Sequence, residues 1–183
     1  MEKDTLVRVK DYIPDIHIYL PYTTEDNFTG HKLYTFKDAY LRYGTVEKLK
    51  KAQEIVSKNG ASIQILDAYR PAAAQFEMWN IMPDDVFIAN PNRGYSKHTR
   101  GSTVDVCLVT PEGEPMAMPS PFDDFTGRGK RDYTGLPADV VANITLLEVA
   151  MRAAGFTTYI NEWWHYNDTD IYPVLETPPF ELE

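Results

Sequence analysis

From Asp15 to Leu20 apolar and polar residues alternate, with Ile16, Ile18 and Leu20 on one face, the period of a half-buried strand. The period then changes. Between Thr45 and Lys58, Val46, Leu49, Ala52, Ile55 and Val56 recur at helical spacing, and Asn59-Gly60 supplies a stop. Ala61 to Ala68 predicts a strand that runs into Asp67-Ala68-Tyr69-Arg70. Pro71 suits the first turn of a helix reaching about Asn80, because its missing N–H would find no partner there anyway. Residues 82–97, rich in Pro, Asn and Gly, predict a loop, and Thr103 to Val109 a strand. A longer Pro/Gly/Asp loop follows over residues 110–135, and such loops in compact domains often carry function. Asp139 to Ala154 is again helical with Gly155 as its stop, and a short strand is expected on either side of Glu162.

These elements interleave without regular βαβ units, which predicts an α+β fold with a mostly antiparallel central sheet flanked by helices. A length of 183 residues, 43% of them hydrophobic, suits a single domain (1–183) with a real core. No run approaches 18 apolar residues, so no membrane span is expected. The start, Met1-Glu2-Lys3-Asp4-Thr5, lacks the basic and then apolar stretch of a secretory signal, and a cytoplasmic location is expected. The formal net charge of −9 opposes nucleic acid, whose phosphates need a basic face, while a small zwitterion feels little of it. Cys107 is the sole cysteine, which excludes an internal disulfide and an all-thiolate metal site. Between Val106 and Leu108 it reads as a buried structural thiol.

Of the four histidines, His17, His31, His98 and His165, two lie in settings suited to metal binding. His98 and Asp105 are seven residues apart, which on one straight strand would oppose them. Gly101 can break the extension, so that His98 approaches from a turn while Asp105 projects from the strand. In Glu162-Trp163-Trp164-His165, a separation of three lets Glu and His share a face across a helical turn or tight bend, whereas a straight strand would oppose them. Alone, that tetrapeptide reads equally as core-lining tryptophans beside a solvated Glu and a hydrogen-bonded His. The combination changes the reading. His98, Asp105 and His165 together make the two-imidazole, one-carboxylate set that holds zinc with a fourth position open for water. Glu162 is then placed to act as a base on that water, and Arg70, after its strand, could present a cation at the same sheet end.

The pattern Ser96-x-His98-x-x-Gly101-x-x-x-Asp105 with Glu162-Trp163-Trp164-His165 resembles the D-alanyl-D-alanine dipeptidases of the VanX type, relatives of the zinc D,D-carboxypeptidases. Tyr22-Thr23-Thr24-Glu25-Asp26-Asn27-Phe28-Thr29-Gly30, Asp67-Ala68-Tyr69-Arg70-Pro71 and Pro121-Phe122-Asp123 resemble further segments of that family in the same order. The resemblance implies a hedgehog/D,D-peptidase-like fold and hydrolysis of D-Ala-D-Ala by a metal-activated water. It also implies one Zn2+ on His98, Asp105 and His165, with Glu162 as general base and Arg70 stabilising the oxyanion. Asp123 would receive the substrate ammonium together with Glu162, Ser96 would lie near the carboxylate, and Tyr22 and Tyr34 would line the pocket. One departure is visible, since Met118-Pro119-Ser120 stands where the family has Asp-Met-Gly-Thr.

Three alternatives stay open: a D,D-carboxypeptidase or cell-wall endopeptidase of the same superfamily, a non-catalytic zinc-stabilised domain of the hedgehog kind, and a domain without metal. Asp123 favours the dipeptidase over the first, retention of Glu162 and Arg70 speaks against the second, and the third would require every motif match to be accidental. Ser96 has no base beside it, which excludes a serine hydrolase. The expected partner is a small zwitterionic D,D-dipeptide, with neither nucleic acid nor membrane; nothing in the sequence sets an oligomeric state.

Overall fold

Three helices, a five-stranded sheet and a two-stranded one, linked by long loops, build the computed structural model, which describes residues 1–182. In chain order the strands are β1 (Leu6–Arg8), β2 (His17–Ile18), β3 (Tyr40–Arg42), β4 (Ser62–Asp67), β5 (Thr103–Val109), β6 (Phe156–Tyr159) and β7 (Glu162–Asp168). The helices are α1 (Tyr43–Ser57), α2 (Ala72–Ile81) and α3 (Ala138–Ala154). The central sheet has the order β2-β4-β5-β7-β6, and only its β2–β4 pair is parallel. β1 and β3 form a separate antiparallel pair. This is the expected α+β class with a mostly antiparallel sheet.

Helices α1 and α3 pack on each other and on the sheet. Their buried stripes, Val46, Leu49, Ala52 and Val56 on α1 and Ile144, Leu147, Ala150 and Met151 on α3, are fully enclosed. Fully burying one such large aliphatic side chain contributes about 1.5–3 kcal/mol. Gly155, at φ 103°, ends α3 where the sequence predicts. The pleat of β5 sends Val104, Val106 and Leu108 into the apolar core and Thr103, Asp105 and Cys107 to the opposite face. That second face carries the chemistry.

The strand predicted for Asp15 to Leu20 shrinks to His17–Ile18. Pro14 and Pro21 bracket it without backbone donors, and Pro21 opens a 3-10 turn over Pro21–Thr23. Cys107, expected to be buried, is partly enclosed, its thiol donating to Gln64 Oε1 at 3.6 Å, and burial pushes its pKa up to about 12. Among the described residues no helix is long and apolar enough to cross a membrane.

Candidate active site and metal centre

Three neighbouring strands set the frame. Asp67 of β4 pairs with Asp105 of β5, after a register shift in β4, and Asp105 pairs with His165 of β7. His98 arrives from outside the sheet, on a 3-10 turn (His98–Arg100) that Gly101 terminates at φ 68°. Only a left-handed residue there lets the chain turn at once into β5, which is how residues seven apart converge. His98 Nε2 lies 3.4 Å from Asp105 Oδ2, and His165 Nδ1 lies 3.0 Å from Asp105 Oδ1. One ligand atom from each of the three residues falls within 4.8 Å of the others. His17 and His31 stay away from this cluster, His17 pairing with Pro111 O at 3.2 Å.

The donors fit a divalent cation. His98 Nδ1 sits 2.8 Å from the carbonyl of Ala68, which can only accept, so the proton belongs on Nδ1 and the Nε2 lone pair faces Asp105. His165 uses the opposite nitrogen, with Nε2 against Asn167 Oδ1 at 3.2 Å and Nδ1 facing inward. Asp105 Oδ1 is buried with no hydrogen-bond partner although His165 Nδ1 is 3.0 Å away, as two acceptors facing each other must be. A buried carboxylate whose two oxygens each face an imidazole lone pair is satisfied by a cation.

Glu162 and His165 were expected to share a face only across a turn or bend, yet both belong to β7. The β6–β7 register jumps between Thr158 and Tyr159, so that Tyr159 meets Glu162 and residues 163–165 bulge. The bulge cancels the strict alternation. Glu162 Oε2 consequently lies 3.3 Å from His165 Nδ1, and Trp163 and Trp164 are both buried. The loop over residues 110–135 pins this irregularity. Trp163 donates its backbone N–H to Gly129 O at 2.8 Å and its indole N–H to Ser120 Oγ at 2.9 Å. Arg131 donates to His165 O at 2.9 Å and Tyr159 O at 2.8 Å, with its guanidinium over the Tyr166 ring. Ser120, part of the departure from the family pattern, thus anchors the loop. Burial pushes Glu162 up to about 8; His165 and Arg70 pull against it, while Asp105 and Asp123 add to it.

Arg70 is buried. Its Nε and one terminal nitrogen donate to Asp67 Oδ2 at 2.8 and 2.6 Å, and the other terminal nitrogen to Gln75 Oε1 at 2.8 Å. Gln75 in turn donates to Ala89 O at 2.7 Å. Burial opposes the guanidinium charge, but Asp67 and other anionic neighbours outweigh it and raise its pKa above the ordinary value. Tyr34, expected in the pocket lining, instead stands one layer back, donating its hydroxyl to Asp67 Oδ1 at 2.8 Å. Sequence reading missed Asp67, Gln75 and Arg131 as site residues. Asp67 was legible in principle as an acid three residues before Arg70.

Above these groups is a cleft of about 210 Å³, lined by Tyr22, Arg70, Ser96, Asp123, Glu162 and Trp164 among others. Asp123 adopts φ 57°, alone among the described non-glycine residues, and accepts the Tyr22 hydroxyl at 2.7 Å. Burial pushes Asp123 up to about 8, against the pull of Tyr22. Ser96 Oγ accepts the His98 backbone N–H at 3.2 Å. Phe87 and Phe125, from the two long loops, meet at 4.8 Å, and Tyr159 donates to Val86 O at 2.6 Å, so the loops join each other and β6.

A cation site of two imidazoles and a carboxylate, with a buried acid beside it and a clamped arginine across a small cleft, is the layout of metallopeptidases. The chain belongs to the M15 peptidases: the family model described as "Peptidase_M15: D-ala-D-ala dipeptidase" matches residues 2–178. Membership implies a metal cofactor. The chain is 31% identical over 172 residues to a D-alanyl-D-alanine dipeptidase of Escherichia coli (strain K12), covering 93% of this chain and 89% of that protein. It is 32% identical over 165 residues to a protein of that name from Enterococcus faecium, covering 79% and 82%. With one from Streptomyces coelicolor it shares 33% over 182 residues, covering 86% and 88%.

Proposed function

We propose that the protein is a zinc dipeptidase that hydrolyses free D-alanyl-D-alanine to two molecules of D-alanine. The observation that carries the reading is the convergence of His98, Asp105 and His165 within 4.8 Å, with the Glu162 carboxylate 3.3 Å from His165. The cleft supports a small substrate. Drug-sized sites run about 300–1,000 Å³, and about 210 Å³ suits a dipeptide. Relatives named for this activity support the same choice.

His98, Asp105 and His165 would hold the zinc, which takes imidazole and carboxylate ligands and keeps an open position in catalytic sites. When bound, the metal supplies Lewis-acid chemistry, activating water and polarising the scissile carbonyl. Glu162 accepts a proton from the attacking water and returns it to the leaving amine. An acid raised to about 8 in the metal-free pocket is drawn lower by a cation beside it, into the range useful near neutral pH. Arg70 is immobilised by Asp67 and Gln75, and each terminal nitrogen keeps a second N–H for the oxygen on which charge develops. Asp123, braced by Tyr22, receives the substrate ammonium. The Ser96 oxygen already accepts from His98, which leaves its hydrogen for the substrate carboxylate. A cytoplasmic location belongs to the same reading.

The test is metal content measured alongside D-alanine release from D-Ala-D-Ala and from a longer stem peptide. Bound zinc with release from the dipeptide alone is the expected result. Efficient release from the longer peptide would move the reading to a D,D-carboxypeptidase.

A further inference from the structure

The two histidines present opposite ring nitrogens to the cluster, His98 through Nε2 and His165 through Nδ1. A neutral imidazole binds a metal only through its bare nitrogen, so the other nitrogen must carry the proton and place it on an acceptor. For His98 that acceptor is the backbone carbonyl of Ala68, which no substitution removes. For His165 it is a side chain, Asn167 Oδ1, at 3.2 Å from Nε2.

Asn167 owes its place to the strand pleat. It lies two residues beyond His165 on β7, hence on the same face, and directly opposite Thr103 as His165 is opposite Asp105. The enclosed Thr103 donates its hydroxyl to the same Oδ1 at 2.9 Å. Four side chains in two neighbouring cross-strand pairs therefore form one block, Asp105 opposite His165 and Thr103 opposite Asn167. The amide carbonyl of Asn167 takes hydrogens from both neighbours, and the half-buried residue itself borders the cleft.

We propose that Asn167 is the positioning residue of the metal centre: its carbonyl holds the His165 proton on Nε2 and so aims the Nδ1 lone pair at the cation. The inference rests on the zinc reading above. It also bears on catalysis, because the same Nδ1 is 3.3 Å from Glu162 and a turned imidazole displaces both. A carboxylate at position 167 would serve as well as the amide, since carboxylate–histidine–metal arrangements orient the ring in the same way. A leucine fills similar space and accepts nothing.

The experiment measures zinc dissociation constants by chelator competition for wild type, Asn167→Leu and Asn167→Asp, with the His165 ring N–H observed by NMR in the zinc-loaded wild type. Loss of such a partner typically costs about 10–100-fold in metal affinity, so Asn167→Leu should bind zinc that much more weakly. Asn167→Asp should stay within a few-fold of wild type or bind more tightly. A merely structural role would weaken both variants alike, and that outcome overturns the proposal, as does unchanged affinity in Asn167→Leu. The NMR arm needs no variant: a proton on Nε2, protected from solvent exchange, is expected, and a proton on Nδ1 or an unprotected Nε2–H overturns it. Wild type that takes up no zinc sinks the zinc reading and this inference together, whereas tight zinc with an indifferent Asn167→Leu sinks the inference alone.

Discussion

Asp105 lies directly opposite His165 across the β5–β7 ladder, with its Oδ1 3.0 Å from His165 Nδ1 and no hydrogen bond to satisfy it. The sheet itself thus builds two-thirds of the metal site, and only His98 depends on a turn. A buried carboxylate oxygen left without a partner costs stability until a cation arrives.

Metal removal should therefore destabilise the protein as well as inactivate it. At zinc concentrations about 100 times Kd, linkage predicts about 2.7 kcal/mol of added stability. Thermal unfolding with and without chelator measures this. Asp105→Asn should abolish most of the difference, since the amide is a poorer ligand; an unchanged response would remove Asp105 from the ligand set.

Glu162→Gln should retain zinc and lose turnover by about 10²–10⁴-fold, because the amide keeps the shape but accepts no proton. Metal analysis and kcat on the same preparation separate the two effects. Near-normal kcat in a zinc-loaded variant would refute the base assignment.

Asp67→Ala should lower stability by about 3–5 kcal/mol, since it leaves the buried Arg70 guanidinium without its carboxylate. Denaturant unfolding reads that loss. Arg70→Ala should instead act mainly on kcat, with KM changing less, because its charge is needed most as the oxyanion forms.

The buried acid of Asp123 gives a pH signature. Its folded pKa, about 8, lies above the ordinary carboxyl value, so its contribution to stability is fully present below about pH 4 and is lost progressively toward pH 8. In metal-free protein Asp123→Asn keeps an acceptor for Tyr22 but has no charge to desolvate. Its Tm should exceed wild type's at pH 9, with the gap closing toward pH 4. A gap that widens on acidification would contradict the raised pKa.

The same residue should set substrate size. A free ammonium offsets the cost of enclosing Asp123 and Glu162, whereas an acylated amine leaves Asp123 unpaired and adds bulk. Wild type should cleave D-Ala-D-Ala and not its N-acetyl derivative, and Asp123→Ala should lose mostly the first activity. Parallel assays of both substrates decide it.

Much was determined by the sequence alone. The stripe Val46, Leu49, Ala52, Val56 specifies α1 whatever it packs against, Gly155 stops α3, and alternation through Thr103–Val109 defines β5. These signals are local, arising from a few residues' own conformational and solvation preferences. Even the convergence of His98 with Asp105 was legible, because Gly101 lies between them and φ 68° is a conformation glycine adopts freely. What tertiary structure decided are relations between distant segments. The bulge that brings Glu162 beside His165 exists because β6 and the loop carrying Gly129 and Arg131 hold it. Tyr34 stands behind Asp67, and Asp67 and Gln75 enclose Arg70, through contacts that no spacing in the chain encodes. Which nitrogen of each histidine faces the cleft likewise depends on Ala68 and Asn167. Hydrogen bonds are directional and short, so the residues that satisfy a buried group are known only once the chain has closed around it.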